Sequence, residues 1–517
     1  MLILISLAGL SFPESGFAAN PDILLLSHYH GEFGLAVRRW ALRANMMTLF
    51  QPDLLFARGR FHTGAGLLVD AKGAIVALKL LEESGNLSAT LPADVDVARL
   101  PGTALLPGFV NVHSHSFQRL IRGSTESRRS GGRDFWSWRG AMYHATAALS
   151  PEQVYHVARM TFLEMAMAGT TTVGEFHYVH RASDGRPYPD PNLLAHQVIA
   201  AARSVGIRIA LLRTAYQRAG FDLPPDPGQT RFLETTDEFL ANAADLHRQY
   251  HSTDAWVGVA PHSVRAVPMD AIQQIAAWAR ENGLPVHMHV SEQIAEVTAC
   301  QREYGTTPVR LLAQHGVLDD RLTAVHAIHI DREEMDLLAT SSANICSCPT
   351  TERNLGDGIF PARDAMERGI PVAFGSDSQA QIDPLEDARE LEYHLRLQHQ
   401  QRSLLDGIDG QELSSRLFRC ATANGAAALG CPAGELAEGK LADFFTVDLN
   451  DVSIAGNNPD DLLSMIVFGL DRSAIADVAV GGKFLVRDHR HPHQQEILNE
   501  YLEVARKVWP TQQLAAK

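Results

Sequence analysis

Pro107-Gly108-Phe109-Val110-Asn111-Val112-His113-Ser114-His115 is the stretch on which the fold turns. An apolar run ending in two histidines at i and i+2 is the pattern of a buried strand with both imidazoles on one face. At the carboxyl end of the first strand of an α/β barrel, that face opens onto the mouth where barrel active sites are built. Imidazole nitrogens suit Zn, Fe or Ni. Taken alone, the pair reads equally well as two stacked polar residues at a strand end.

Outward from this stretch, β-type apolar runs recur at 104–115, 170–177, 207–213, 256–263, 285–291, 323–330, 343–347 and 371–376. Helical periodicity separates most of them, as at 151–168, 269–282 and 308–315. Eight strands alternating with helices predict an α/β fold, a (β/α)8 TIM barrel spanning 107–432. An open doubly wound sheet is the alternative, but no glycine-rich phosphate loop follows the first strand. On either side the texture changes to short strands split by Gly and Asp, over 52–106 and again at 442–447 and 478–486. These flanks, 46–106 plus 433–490, are expected to pair into one small composite β-sandwich with the barrel inserted between them. Residues 491–517 are expected to form a C-terminal helix and tail.

Residues 1–45 form an N-terminal extension with an apolar run (2–10) and a small-residue stretch at Phe17-Ala18-Ala19. They resemble a weak secretory signal, but no Lys or Arg precedes Arg38, so the positive n-region is missing. A start at Met46 or Met47 is the favoured alternative. No run approaches the ~20 apolar residues of a membrane helix.

The 517 residues carry a net charge of −15, so a nucleic-acid partner, which leaves a basic footprint, is not expected. Five cysteines, none before Cys300, argue against a disulfide framework and for a reducing, cytoplasmic setting. The 23 histidines carry more information. His287 and His289 fall near the end of the fifth strand, with Glu292 just beyond. His326 and His329 fall near the end of the sixth, and Asp377 near the end of the eighth. All converge on one mouth, which coincidence achieves poorly.

His113-x-His115, His289, His326 and Asp377 at these stations resemble the amidohydrolase superfamily. The likeness takes in both flanks, including Gly439-Lys440-Leu441-Ala442-Asp443-Phe444. Glu292 three residues after the third histidine, with no lysine at the end of strand four or five, is similar to its single-metal deaminase branch. Further segments resemble the members of that branch that hydrolyse formimino-glutamate: His115-Ser116-Phe117-Gln118-Arg119, Phe135-Trp136-Ser137-Trp138-Arg139, Glu175-Phe176-His177-Tyr178-Val179-His180, His262-Ser263-Val264-Arg265-Ala266-Val267 and Asn354-Leu355-Gly356-Asp357-Gly358-Ile359-Phe360-Pro361.

The resemblance implies one divalent ion, Zn2+ first, on His113, His115, His289 and Asp377. It implies Glu292, His326 and Asp377 as the proton-handling groups of a hydrolytic deamination. The substrate implied is a small dicarboxylate, and arginine suits carboxylates because its planar fork makes two parallel hydrogen bonds. Arg139 and Arg265 are the expected anchors, with Gln118, Tyr178 and His262 beside them. The resemblance also implies a homodimer with no nucleic-acid or membrane partner. Two rival readings remain: a deaminase of a purine or pterin ring, and a non-catalytic scaffold, which would be expected to have lost ligands.

Other residues read more plainly. His287 is expected to be a buried barrel histidine, and His329, on the opposite parity, a supporting one. Cys346-x-Cys348 is expected to pack as small residues, being a metal pair only if further ligands stand nearby. Trp136 and Trp138 either line the pocket or pack a loop. Lys440 suits a turn. Arg119, Arg122 and the histidines 28, 30, 489, 491 and 493 are expected to be solvated.

Overall fold

The computed structural model describes residues 46–80, 95–126, 135–147, 149–456 and 458–509. The expectations for 1–45, including His28 and His30, lie outside the described residues.

Two sheets organise the chain. The first is the barrel, built of β6 (Phe109–Ser114), β7 (Thr170–His177), β8 (Arg208–Ala215), β9 (Ala255–Pro261), β10 (Val286–Val290), β11 (Leu322–His326), β12 (Asn344–Ser347) and β13 (Val372–Phe374). Each pairs in parallel with the next, in chain order. Their residues are almost all buried, because helices cover the outside and side chains fill the inside. The ring closes at the active end: Ser114 bridges Asp377 in parallel, the His115 amide donates to the Asp377 carbonyl (3.1 Å), and the Asp377 amide to that of His113 (2.9 Å). The seam of the barrel therefore runs through His113, His115 and Asp377 themselves.

Helix starts follow local chemistry. Ser150 and Gln153 cap the helix Pro151–Met167 reciprocally, with proline at its first position, and Asp331 with Glu334 does the same for Arg332–Thr340. Gly206, Gly283 and Gly305 end three other helices in the left-handed conformation that a Cβ disfavours.

The second sheet is made of both flanks: β1 (Met47–Ala57), β2 (Arg60–Thr63), β3 (Ala65–Val69), β4 (Ile75–Leu80), β5 (Val95–Pro107), β14 (Phe444–Asp448), β15 (Ile475–Val480) and β16 (Lys483–Val486). It is one continuous sheet in the order β16-β15-β14-β5-β1-β3-β4, with β2 beside β1. Alternation divides its two faces. Leu55, Leu105 and Phe444 enter a core of the sheet's own, whereas Leu54, Leu106 and Phe445 join the barrel's core.

The run 104–115, expected as one strand, is two. β5 ends at Pro107 in the flanking sheet and β6 begins at Phe109 in the barrel. Gly108 makes the step: a Cβ there would lie 2.4 Å from the Thr171 side chain. A buried pair holds the two sheets together. Arg208 on β8 donates to Asp443 through Nε (2.6 Å) and Nη2 (2.9 Å), and the Gly481 amide adds a third bond to Asp443 (2.7 Å).

The C-terminal helix Gln494–Val508 lies on Pro151–Met167, with Arg159 bonded to Glu496 and Glu500 at 2.8 Å each. Three of the groups expected to be solvated are not. Arg119 and Arg122 both bind Glu164 at 2.8 Å, and Arg119 also stacks over Tyr501. His491 is buried with its Nε2 on the Val205 carbonyl (3.0 Å). Among the described residues no helix is long and apolar enough to cross a membrane.

Candidate active site

His113, on the last turn of pleat in β6, and His115 just beyond it point into the barrel mouth beside His289 of β10 and Asp377 after β13. The Nε2 atoms of His115 and His289 each stand 3.1 Å from that of His113. Asp377 Oδ1 is 3.3 Å from His113 Nε2 and 3.2 Å from His115 Nε2. Ligand atoms of all four residues lie within 4.8 Å of one another, and all four residues are buried.

The tautomers follow from the outer partners. His115 Nδ1–H donates to the Phe176 carbonyl and His289 Nδ1–H to the His262 carbonyl, both at 3.0 Å. Their Nε2 atoms are then bare lone pairs, aimed at the same point. Burial lowers His113 to about 4, and His289 well below the imidazole range, so neither ring relieves the crowding by taking a proton. Although burial opposes it, the neighbouring His113 and His115 hold the Asp377 carboxyl well below the usual range. Three imidazole nitrogens and one carboxylate converging on one point match the donor set of a divalent cation. The residues fit a metal ion.

Backbone geometry at these strand ends is unusual. Asp377 (φ 44°), His326 (φ 72°) and Ser291 (φ 52°) occupy the left-handed region without being glycine. Gly375 belongs to the same device. A Cβ there would sit 2.7 Å from His113 Cβ and 2.8 Å from the His113 carbonyl oxygen, so only glycine lets β13 lie against the ligand strand.

His326 Nδ1 contacts Glu352 Oε1 at 3.3 Å, and its Nε2 faces Asp377 Oδ2 at 3.7 Å and Glu292 Oε1 at 3.9 Å. Burial disfavours its cation, but Glu352, Glu292 and Asp377 raise it well above the ordinary imidazole value. Glu352 is fixed by the Cys348 amide (2.7 Å) and the Ser347 hydroxyl (3.2 Å).

Above His113, His115, His289 and Asp377 lies a cavity. Gln118, Arg139, Tyr178, His262, Arg265 and Glu292, all singled out from sequence, line it. Gln118 Nε2–H donates to the Tyr178 hydroxyl at 3.0 Å. Burial, with Arg265 next in effect, keeps His262 well below the imidazole range and therefore neutral. Arg265 is buried; against that desolvation, Glu296 and Glu292 favour its cation. Trp138 also lines the cavity, which decides between its two readings, and Leu355 brings the 354–361 segment to it. His287 is fully buried in the barrel. His329 is a supporting residue, its Nε2 on the Asp357 carbonyl at 2.8 Å. Lys440 is in a turn and its carbonyl receives the Ile75 amide.

Sequence reasoning missed Glu352, Tyr143 and Tyr216. The tyrosines line the cavity, and Gln229 Nε2–H reaches both hydroxyls, at 2.9 and 3.1 Å. They stand on a helix and a loop far apart in sequence, where no spacing connects them. Glu352 had one signal: it follows the Cys346-x-Cys348 strand end by a single helical turn.

Comparison with known proteins agrees with this architecture. The amidohydrolase family model matches residues 104–485. The formimidoylglutamate deiminase of Pseudomonas aeruginosa is 39% identical over 82% of this chain and 94% of its own. A 5-methylthioadenosine/S-adenosylhomocysteine deaminase of Pyrococcus abyssi is 26% identical over 87% of this chain and 97% of its own. The crystal structure of an amidohydrolase from Brucella melitensis superposes with a TM-score of 0.81 at 31% identity, covering 89% of this chain and 99% of that one. A zinc-bound adenosine deaminase from Xanthomonas campestris shares the fold at 22% identity and a TM-score of 0.76, over 89% of this chain and 98% of that one. With the family model matched across most of its length, this chain belongs to the amidohydrolase family.

Proposed function

We propose that the protein is a hydrolytic deaminase that converts N-formimidoyl-L-glutamate and water to N-formyl-L-glutamate and ammonia. The observation that carries this reading is the joint placement of Arg139 and Arg265 around the cavity that also holds Glu292 and the ligand residues. Two guanidinium groups beside a hydrolytic centre suit a linear dicarboxylate. A purine or pterin ring calls instead for base-edge hydrogen bonds and stacking. The name of the Pseudomonas aeruginosa relative supports the same substrate.

One divalent ion, for which we propose zinc, would be held by His113, His115, His289 and Asp377 and would supply Lewis acidity and a water of lowered pKa. The remaining work falls to side chains. Arg139 and Arg265 bind the two carboxylates, with Gln118, Tyr178 and His262 completing the polar wall. Glu292 delivers a proton to the departing nitrogen, and His326, steadied by Glu352, orients the water and balances developing charge. Asp377, ionised, is a second acceptor for the water proton.

The test is ammonia release from formimino-glutamate, formimino-aspartate and guanine by the purified metal-loaded chain. Preference for formimino-glutamate is expected. Preference for guanine would overturn the reading in favour of a ring deaminase.

A further inference from the structure

Cys346 and Cys348 take no part in the reaction just described, yet they stand at its edge. Both are fully buried at the end of β12, with Sγ atoms 3.8 Å apart. Their surroundings differ. Cys346 Sγ would lie 3.0 Å from a Cβ on Gly375, so it fills the space that glycine leaves. Cys348 Sγ instead lies within 4.8 Å of a ring nitrogen of His326 and a carboxylate oxygen of Asp377, and those two are equally close to each other.

Three features make this group a site rather than a coincidence of packing. His326 Nδ1 is taken by Glu352, while Nε2 is buried and has no hydrogen-bond partner. Asp377 is divided: Oδ1 faces His113 and His115, and Oδ2 faces His326 at 3.7 Å. One carboxylate thus has an oxygen for each of two neighbouring ions. Glu292 Oε1, 3.9 Å from the same Nε2, supplies a nearby fourth donor atom.

We propose that His326, Cys348 and Asp377 form a second site for a soft divalent ion, of the class of Zn2+ or Cd2+, whose occupation inhibits the enzyme. Thiolate sulfur selects such ions over Mg2+ and Ca2+, which take oxygen. On binding, the Cys348 S–H bond and the His326 Nε2–H bond break, both protons leave to solvent, and the freed sulfur and nitrogen pairs form the bonds to the ion; nothing is oxidised or reduced. Because two protons must be displaced and Asp377 is shared, the site fills only after the first. The ion then holds His326 and crowds Glu292. That inhibition rests on the catalytic reading above, whereas binding of the ion does not.

The experiment is a Co2+ and Zn2+ titration of the full chain already carrying one ion. A thiolate-to-cobalt charge-transfer band is expected with the second equivalent, not the first. Excess Zn2+ should lower turnover at least tenfold. Cys348→Ala and Cys348→Ser should each lose the band and the inhibition and keep the first ion. Cys346→Ala should retain both. No thiolate band in the unaltered chain, or zinc inhibition undiminished in the Cys348 variants, would overturn the proposal. Should formimino-glutamate prove not to be the substrate, the cobalt band still decides whether the ion binds.

Discussion

At the scale of the residue, the site is built by fixing tautomers and turning side chains inward. Carbonyl acceptors at Nδ1 turn the Nε2 atoms of His115 and His289 inward, and left-handed backbone is found at His326 and Asp377 at the strand ends. The histidines and Asp377 were legible in the sequence because strand ends of a barrel share one mouth, so position along the chain already implies convergence. Glu352 was not, because a turn of helix folds it back under His326. Two predictions belong here. Glu292→Gln keeps the shape and removes the proton carrier, so kcat should fall roughly 10²–10⁴-fold. Its metal content by elemental analysis should be unchanged, and wild-type turnover would refute the role. Glu352→Ala leaves His326 without its Nδ1 partner. Loss of such an outer partner typically costs about 10–100-fold, which should appear in kcat with little change in KM. Glu352→Gln should restore part of it, since an amide oxygen still accepts.

At the scale of the element, the barrel strands were visible as continuous apolar runs because both their faces are buried. The same property hid the junction between β5 and β6: an apolar run crossing from one buried sheet into another carries no polar mark, and only Pro107-Gly108 betrays the break. Between the sheets, Arg208 and Asp443 form a desolvated bidentate pair. Asp443→Ala would strand the Arg208 charge, and breaking such pairs costs about 3–5 kcal/mol. The urea midpoint should fall accordingly; an unchanged midpoint would mean that water replaces the carboxylate. A second buried pair sets acid stability. Arg213 on β8 donates to Glu234 through two nitrogens, one at 2.8 Å, and His180 lies 3.7 Å away. Burial opposes ionisation of Glu234, but His180 and Arg213 bring its carboxyl down to about 2 from an ordinary 4.5. The folded value is the lower one, so its stabilisation is complete above the ordinary value and is lost as pH falls towards 2. At 1.36 kcal/mol per unit this amounts to about 3 kcal/mol. In acid titrations followed by circular dichroism, Glu234→Gln should be less stable at neutral pH and should lose less between pH ~5 and ~2.5 than wild type.

At the scale of the whole molecule, charge frames the question of substrate. A net charge of −15 repels a dianion on average, so binding of one must come from local cations. The cavity supplies them in Arg139 and Arg265, brought to it from the helix Phe135–Ala147 after β6 and from the loop after β9. The surroundings suit Arg265 to an anion. Burial pushes the neighbouring Glu296 carboxyl up to about 7, even with Arg265 pulling it down, so its negative charge is only partly developed near neutral pH. Removing one partner of a desolvated charge pair typically costs about 2–5 kcal/mol. Arg265→Met should therefore lower kcat/KM for formimino-glutamate by roughly 30-fold or more, at 1.4 kcal/mol per tenfold. Metal content should not change, because no ligand residue is altered. A formimino compound lacking one carboxylate should be a poor substrate for wild type and lose less on mutation. If Arg265→Met and Arg139→Met both kept full efficiency on formimino-glutamate, neither guanidinium would be holding a carboxylate. The aromatic wall of Tyr143, Tyr178 and Tyr216 would then have to be read as a surface for a stacked ring.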